Sequence, residues 1–159
     1  MTPQEYLDEI LLPTIQEYEE QTESRRKAYL ACIVTYHLAD FLEKAGAKNP
    51  QKAVREQCTA AWQVIHAVAI GAKHHDNASN QNPLKFKAGS DHYRPPARAG
   101  ALECGFSKIG DTEGSIVIAT GENDYVVDVL PALRTVLRQF ILLYGGDYLT
   151  EAALPLAEV

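Results

Sequence analysis

The sequence predicts a mainly α-helical single domain spanning residues 1–159: an antiparallel helical bundle with a small antiparallel β-hairpin or meander inserted before the last long helix. Three observations predict it. A helix-start signal stands at residue 2, two long stretches of helical periodicity are joined by one tight turn, and a last apolar stripe follows three short alternating runs. With 46% hydrophobic and 23% charged residues, the 159-residue chain has the composition of an ordinary globular domain, and its length suffices for one core.

Thr2-Pro3-Gln4-Glu5 is a capping box with proline at the first helical position, so a helix starts at once. Pro13 lacks an N–H and clashes with the preceding turn, which predicts a kink or restart there. From about Thr14 to Ala45 the pattern is helical. Leu30, Val34, Leu38 and Phe41 form one apolar row and Tyr29, Ile33 and Tyr36 a second, predicting burial on both sides. Gly46 can take the left-handed conformation that ends this helix, and Asn49-Pro50 supplies a cap and first residue for the next. Residues 50–73 read as one helix, the second arm of the hairpin, with Val54, Cys58, Ala61, Ile65, Ala69 and Ala72 at spacings of three and four.

Between Asp76 and Gly100 periodicity vanishes, and residues 76–100 read as a long loop. The β insertion is expected at 101–129, from Leu102, Cys104 and Phe106, then Ile116 and Ile118, then Tyr125, Val127 and Val129. The final helix is expected at 130–145, with Leu133, Val136, Leu137, Phe140, Ile141 and Tyr144 on one stripe, Pro131 near its start and Gly145-Gly146 after its end.

No apolar stretch approaches the roughly 20 residues of a bilayer span, and no signal peptide opens the chain, so a cytoplasmic location without a membrane partner is expected. Cys32, Cys58 and Cys104 are odd in number and have no CxxC spacing, so they read as buried thiols, not a disulfide or zinc framework. Charge is uneven within a net −6. Residues 1–24 hold seven carboxylates and no Lys or Arg, whereas 73–98 hold Lys73, Lys85, Lys87, Arg94 and Arg98 against Asp76 and Asp91.

Three constellations carry chemistry. The basic and aromatic groups Lys85, Lys87, His92, Tyr93, Arg94 and Arg98 suit phosphate contacts beside a stacking platform; Lys85, Lys87, Arg94 and Arg98 are the candidate RNA contacts. Lys73 and His74 end their helix as a cationic cap, or serve as phosphate holder and general acid–base in metal-free RNA cleavage. His37, Asp40 and His66 offer ligand types for a mononuclear metal, against the simpler role of Asp40 in holding one tautomer of His37; no cofactor or metal is expected. Arg134 and Arg138 form a cationic stripe on the last helix, suited to pairing with the acidic first helices.

Ala28-Tyr29-Leu30-Ala31 leading to Tyr36-His37-Leu38-Ala39-Asp40-Phe41-Leu42, together with Ala67 to Lys73-His74-His75, resembles a group of uncharacterised bacterial helical proteins similar to HEPN domains. That resemblance implies an antiparallel bundle, frequently a homodimer, and in many members a metal-free ribonuclease. Its catalytic histidine would be His74, with Lys73 beside it and Asp40 on the preceding helix. The arginine that the family places a few residues before its histidine is absent: Ala67, Val68 and Ala69 stand there. The resemblance therefore implies an RNA-binding or regulatory module, with a ribonuclease using His74 as an alternative; the ligand types of His37, Asp40 and His66 leave a metal-dependent enzyme as a further alternative.

Overall fold

The computed structural model describes residues 1–74, 84, 86–96, 114–120 and 125–150. The molecule is mostly helical, with a three-stranded antiparallel sheet before the last long helix, as the periodicities predict.

The capping box forms at Thr2: its hydroxyl accepts from the Glu5 N–H at 3.1 Å, and its own N–H donates to Glu5 Oε2 at 2.7 Å. Helix α1 (Pro3–Tyr6) then widens into a π-helical segment over Leu7–Leu11, and α2 (Leu12–Glu20) restarts with Pro13 in its first turn. Proline cannot donate to the carbonyl four residues back, and the wider register accommodates it. The expected restart at Pro13 is therefore present as a π-bulge.

The stretch from Thr14 to Ala45 is not one helix. It breaks after Glu20, and Ser24 caps a new helix, α3 (Arg25–Lys44), by accepting from the Lys27 N–H at 3.4 Å. Of the two large apolar rows only Leu38 is fully buried. Ala28, Ala31, Cys32, Thr35, Leu38, Ala39 and Leu42 are buried, while Leu30 is exposed and Tyr29, Ile33, Val34 and Tyr36 are half-buried. Small residues let neighbouring backbones approach, and the larger side chains flank the contact line.

Gly46 ends α3 at φ +108°, and Asn49 precedes α4 (Pro50–Gln57) in the left-handed region at φ 48°, without a side-chain cap bond. The single second arm expected over 50–73 is two helices. Cys58 leaves helical geometry at φ −142° and ψ 55°, and α5 (Thr59–His74) follows. Helix α3 packs against α2, α5 and α6, with α5 running antiparallel beside it. Tyr36 meets Trp62 and His66, while Tyr29 and Gly71 both meet Phe86. Leu38, Leu42, Ile65, Leu133, Leu137 and Phe140 close the core between α3, α5 and α6.

Strands β1 (His92–Arg94), β2 (Ser115–Thr120) and β3 (Tyr125–Asp128) pair in that order, with His92 opposite Val117 and Val117 opposite Asp128. The first strand thus lies within residues 76–100, read from the sequence as a loop, because three largely polar residues show no alternation. Leu102, Cys104 and Phe106 lie outside the described residues. Tyr18 ties the sheet to α2, accepting from the Ile116 N–H at 2.9 Å. Helix α6 (Val129–Tyr144) follows β3 directly. Its Asp128 cap position makes no side-chain cap bond, and Ser115 Oγ accepts from the Leu130 N–H at 3.2 Å instead. Arg134 pairs with Glu19 at 2.9 Å, the expected use of that cation against an acidic first helix. Among the described residues no helix is long and apolar enough to cross a membrane.

Candidate functional site

Two ends of the α3–α5 pair gather polar chemistry, and they differ. The first joins the start of α3, the end of α5 and residues 86–92. Asp91 is buried there and accepts from Arg25 Nε at 2.7 Å and from the Tyr29 hydroxyl at 2.5 Å, while Arg25 Nη2 also reaches the Asp91 carbonyl at 3.3 Å. The Gly89 N–H donates to the Tyr29 oxygen at 2.9 Å. Burial, reinforced by the Asp91 bond, pushes the Tyr29 phenol up to about 12. Phe86 is buried edge-on to Tyr29 at 5.7 Å and lies against α5 at Gly71, where an added Cβ would come within 2.5 Å of its ring and 3.1 Å of its carbonyl oxygen. Glycine inside a helix costs about 1 kcal/mol relative to alanine. Here it gives the 86–91 segment its seat.

Exposed cations stand at this end of the bundle: Arg26 next to Arg25 on α3, Lys73 near the end of α5, and Lys87 next to Phe86. Arg25 itself keeps 53% of its side chain exposed, and Glu23 is the nearest acid in sequence. The α3 first turn carries Arg25, Arg26 and Lys27 and no acid, so their charge adds to the positive end of the helix dipole.

The second end is a cleft of about 580 Å³ walled by α3, α4 and α5. Tyr36 is its central ring, 5.6 Å from the buried Trp62 and 5.4 Å from His66. Gln51 and Gln63 contribute amides, and Arg55 and Glu43 stand at the rim. Burial and the neighbouring Arg55 hold the His66 imidazole below its ordinary value, so it is neutral at pH 7. Burial, with Asp40 nearby, raises the Tyr36 phenol.

The sequence-derived sites fare differently. His37 Nδ1 donates to Asp40 Oδ2 at 2.6 Å, the tautomer-holding contact, and the Gln51 amide reaches Asp40 Oδ1 at 3.5 Å. His66 turns to Tyr36, and among the described residues no three His, Cys, Asp or Glu side chains converge. The metal site of His37, Asp40 and His66 is thus not assembled, because the offset along α5 places His66 beside the aromatic rings.

Asp40 is likewise separated from Lys73 and His74. It lies near the α4 end of α3, and Lys73 is about a dozen residues further along α5, roughly 20 Å of helical rise. The set Asp40, Lys73 and His74 is therefore not brought together within one chain. For His74 only the backbone position, at the end of α5, is described.

Of the loop cations, Lys87 is exposed, but Arg94 is 6% exposed and paired with Asp128 at 2.5 Å. Arg94 therefore joins β1 to the start of α6 and offers no surface charge to RNA. Lys85 and Arg98 lie outside the described residues.

Sequence reasoning missed Arg25, Arg26, Tyr29 and Asp91 at one end and Tyr36, Arg55 and Trp62 at the other. One signal was available: three cations in a helix first turn oppose the dipole and call for an anionic partner. The single tryptophan, set in an alanine-rich stretch, was a second. The chain matches no protein-family model, no curated protein and no solved structure.

Proposed function

We propose that the protein is a HEPN-like RNA-binding module, and that its RNA contact is the cationic end formed by the start of α3, the end of α5 and residues 86–92. The observation that carries this reading is the seating of the 86–91 segment by Asp91 and Phe86, which gathers Arg26, Lys73 and Lys87 at one end of the bundle. Exposed cations at one end of the bundle, with Arg26 in the first turn of α3 at the positive end of its dipole, attract a phosphate backbone without reading base identity. Tyr93, 39% exposed on β1, adds an aromatic surface directly after that segment. The distance of Asp40 from Lys73 and His74 favours binding over cleavage within one chain. A homodimer belongs to the same proposal, with the exposed Leu142 and Leu143 at the end of α6 as an apolar strip for a second copy.

Fluorescence anisotropy with a single-stranded RNA tests it. Binding should be measurable at low salt and weaken steeply as salt rises. The double variant Lys73→Glu with Lys87→Glu should lose at least tenfold in affinity with an unchanged circular dichroism spectrum. Equal affinity in that variant, or no binding at low salt, overturns the proposal. RNA cleavage that disappears in His74→Ala would return the protein to the ribonucleases.

A further inference from the structure

The cleft at the opposite end of α3 has no part in RNA binding as proposed above, and its lining has a chemistry of its own. Its volume of about 580 Å³ is that of a small-molecule site. One wall is aromatic: Tyr36 lies between Trp62 and His66, tilted 36° to the first and 45° to the second. Flat rings favour a flat guest, whose apolar faces leave water by stacking on them. Because His66 is held neutral, this wall carries no charge at pH 7.

The rim carries both signs. Lys52 and Glu56, one turn apart on α4, lie 3.8 Å from each other and offset one another. Among the described residues Arg55 on α4 and Glu43 on α3 are in no ion pair, although both line the cleft. A guest with one anionic and one cationic group meets a partner for each. A phosphate ester, with nearly two negative charges, would meet one unpaired cation and the repulsion of Glu43 and Glu56. A cation without an anion would face Arg55 and Lys52.

We propose that this cleft binds a small aromatic zwitterion of α-amino-acid chemistry. The ring packs against the half-buried Tyr36 and His66, with the buried Trp62 in contact behind Tyr36, the carboxylate pairs with Arg55, and the ammonium pairs with Glu43. Gln51, whose amide reaches Asp40, and Gln63 line the cleft beside it. The proposal stands apart from the RNA-binding reading, since it uses none of the same residues.

Trp62 is the only tryptophan of the chain and lies in the cleft, so its emission, excited where tyrosine does not absorb, reports occupancy directly. The full-length protein is titrated into the millimolar range with L-phenylalanine, L-tyrosine and L-histidine. The comparison ligands are 3-phenylpropionate, which lacks the ammonium, phenethylamine, which lacks the carboxylate, and adenosine monophosphate. At least one amino acid should give a saturable change, and the three comparison ligands should bind at least tenfold more weakly. Arg55→Gln and Glu43→Gln, both at exposed positions, should each weaken that amino acid at least tenfold while circular dichroism stays unchanged. Arg55→Gln should not weaken phenethylamine, and Glu43→Gln should not weaken 3-phenylpropionate, since each change removes a like charge from that ligand's surroundings. The proposal is overturned if none of the amino acids changes the emission, if a single-charge analogue or the nucleotide binds as tightly, or if both variants keep the parent affinity.

Discussion

The two ends of the α3–α5 pair are built from the same helices and reach opposite solutions. At the end where α3 starts, charge is organised: a buried carboxylate ties Arg25 and Tyr29 together, and the remaining cations face water. At the end where α4 begins, rings form the wall, and among the described residues the rim charges of Arg55 and Glu43 are in no ion pair. The difference lies in what crosses the pair. Residues 86–91 are pinned over the first end by Phe86 and Asp91, whereas the turn from Gly46 to Asn49 swings α4 away from the second and leaves a gap. A crossing segment held by buried polar contacts makes a charged surface. A short helix set off by a tight turn makes a cavity.

The sharpest break in this comparison is expected within the basic set itself. Arg94→Ala should cost about 3 kcal/mol, because it removes one partner of a largely buried ion pair together with the packing of the Arg94 side chain. The melting temperature should fall by roughly 6–12 °C at this chain length, and calorimetry reads it directly. RNA affinity at a temperature where the variant is folded should stay near that of the parent, in contrast to the lysine variants.

Asp91→Ala comes next, at about 2 kcal/mol, since it removes charge-assisted bonds from Arg25 and Tyr29 although Arg25 is half in water. Its distinguishing mark is a double effect: lower stability in denaturant titration together with weaker RNA binding, as Lys87 loses its seat. Loss of stability alone would separate the charged end from the RNA. Lys73→Ala and Lys87→Ala should each change stability by less than about 0.5 kcal/mol. Each should reduce the slope of log affinity against log salt by about 1, measured by anisotropy across a salt series.

At the other end the expected effect is one of pH. The His66 imidazole sits below its ordinary value in the folded chain, so the unfolded chain binds the extra proton as pH falls below the ordinary value of about 6.5. Stability is therefore full above that pH and declines below it. The loss stays under about 1.4 kcal/mol for each pH unit, the limit for a single proton. His66→Gln should flatten this part of the pH profile in urea titrations; an unchanged slope would remove His66 from the neutral wall.

Much of the frame was written in local chemistry. Thr2 and Glu5 form their capping box, Pro13 sits at the start of a new helix after a π-bulge, Gly46 ends α3 at positive φ, and the stripe from Leu133 to Tyr144 makes α6. Each depends on neighbours a few residues away, which a linear pattern records. The break at Cys58 was not legible, because the spacing of Val54, Cys58 and Ala61 continues across it in phase, and the break at Gln21–Ser24 falls in an all-polar stretch between Tyr18 and Ala28 with no glycine or proline to mark it. The strand at His92–Arg94 was not legible either. Its pairing with β2 and the burial of Arg94 against Asp128 depend on residues more than twenty positions away.

The sequence by itself determined which segments are helical, where the last helix lies, and which residue types are on hand for chemistry. Only the tertiary structure decided which of them meet. It set the α3–α5 register that parts Asp40 from Lys73, turned His66 toward Tyr36, and withdrew Arg94 into an ion pair. The physical reason is one of range: caps and turns are fixed by bonds within a single turn of chain, whereas register and ion pairing are fixed by side-chain packing between elements. A residue's type sets what it can bind, and packing sets whether anything is there to be bound.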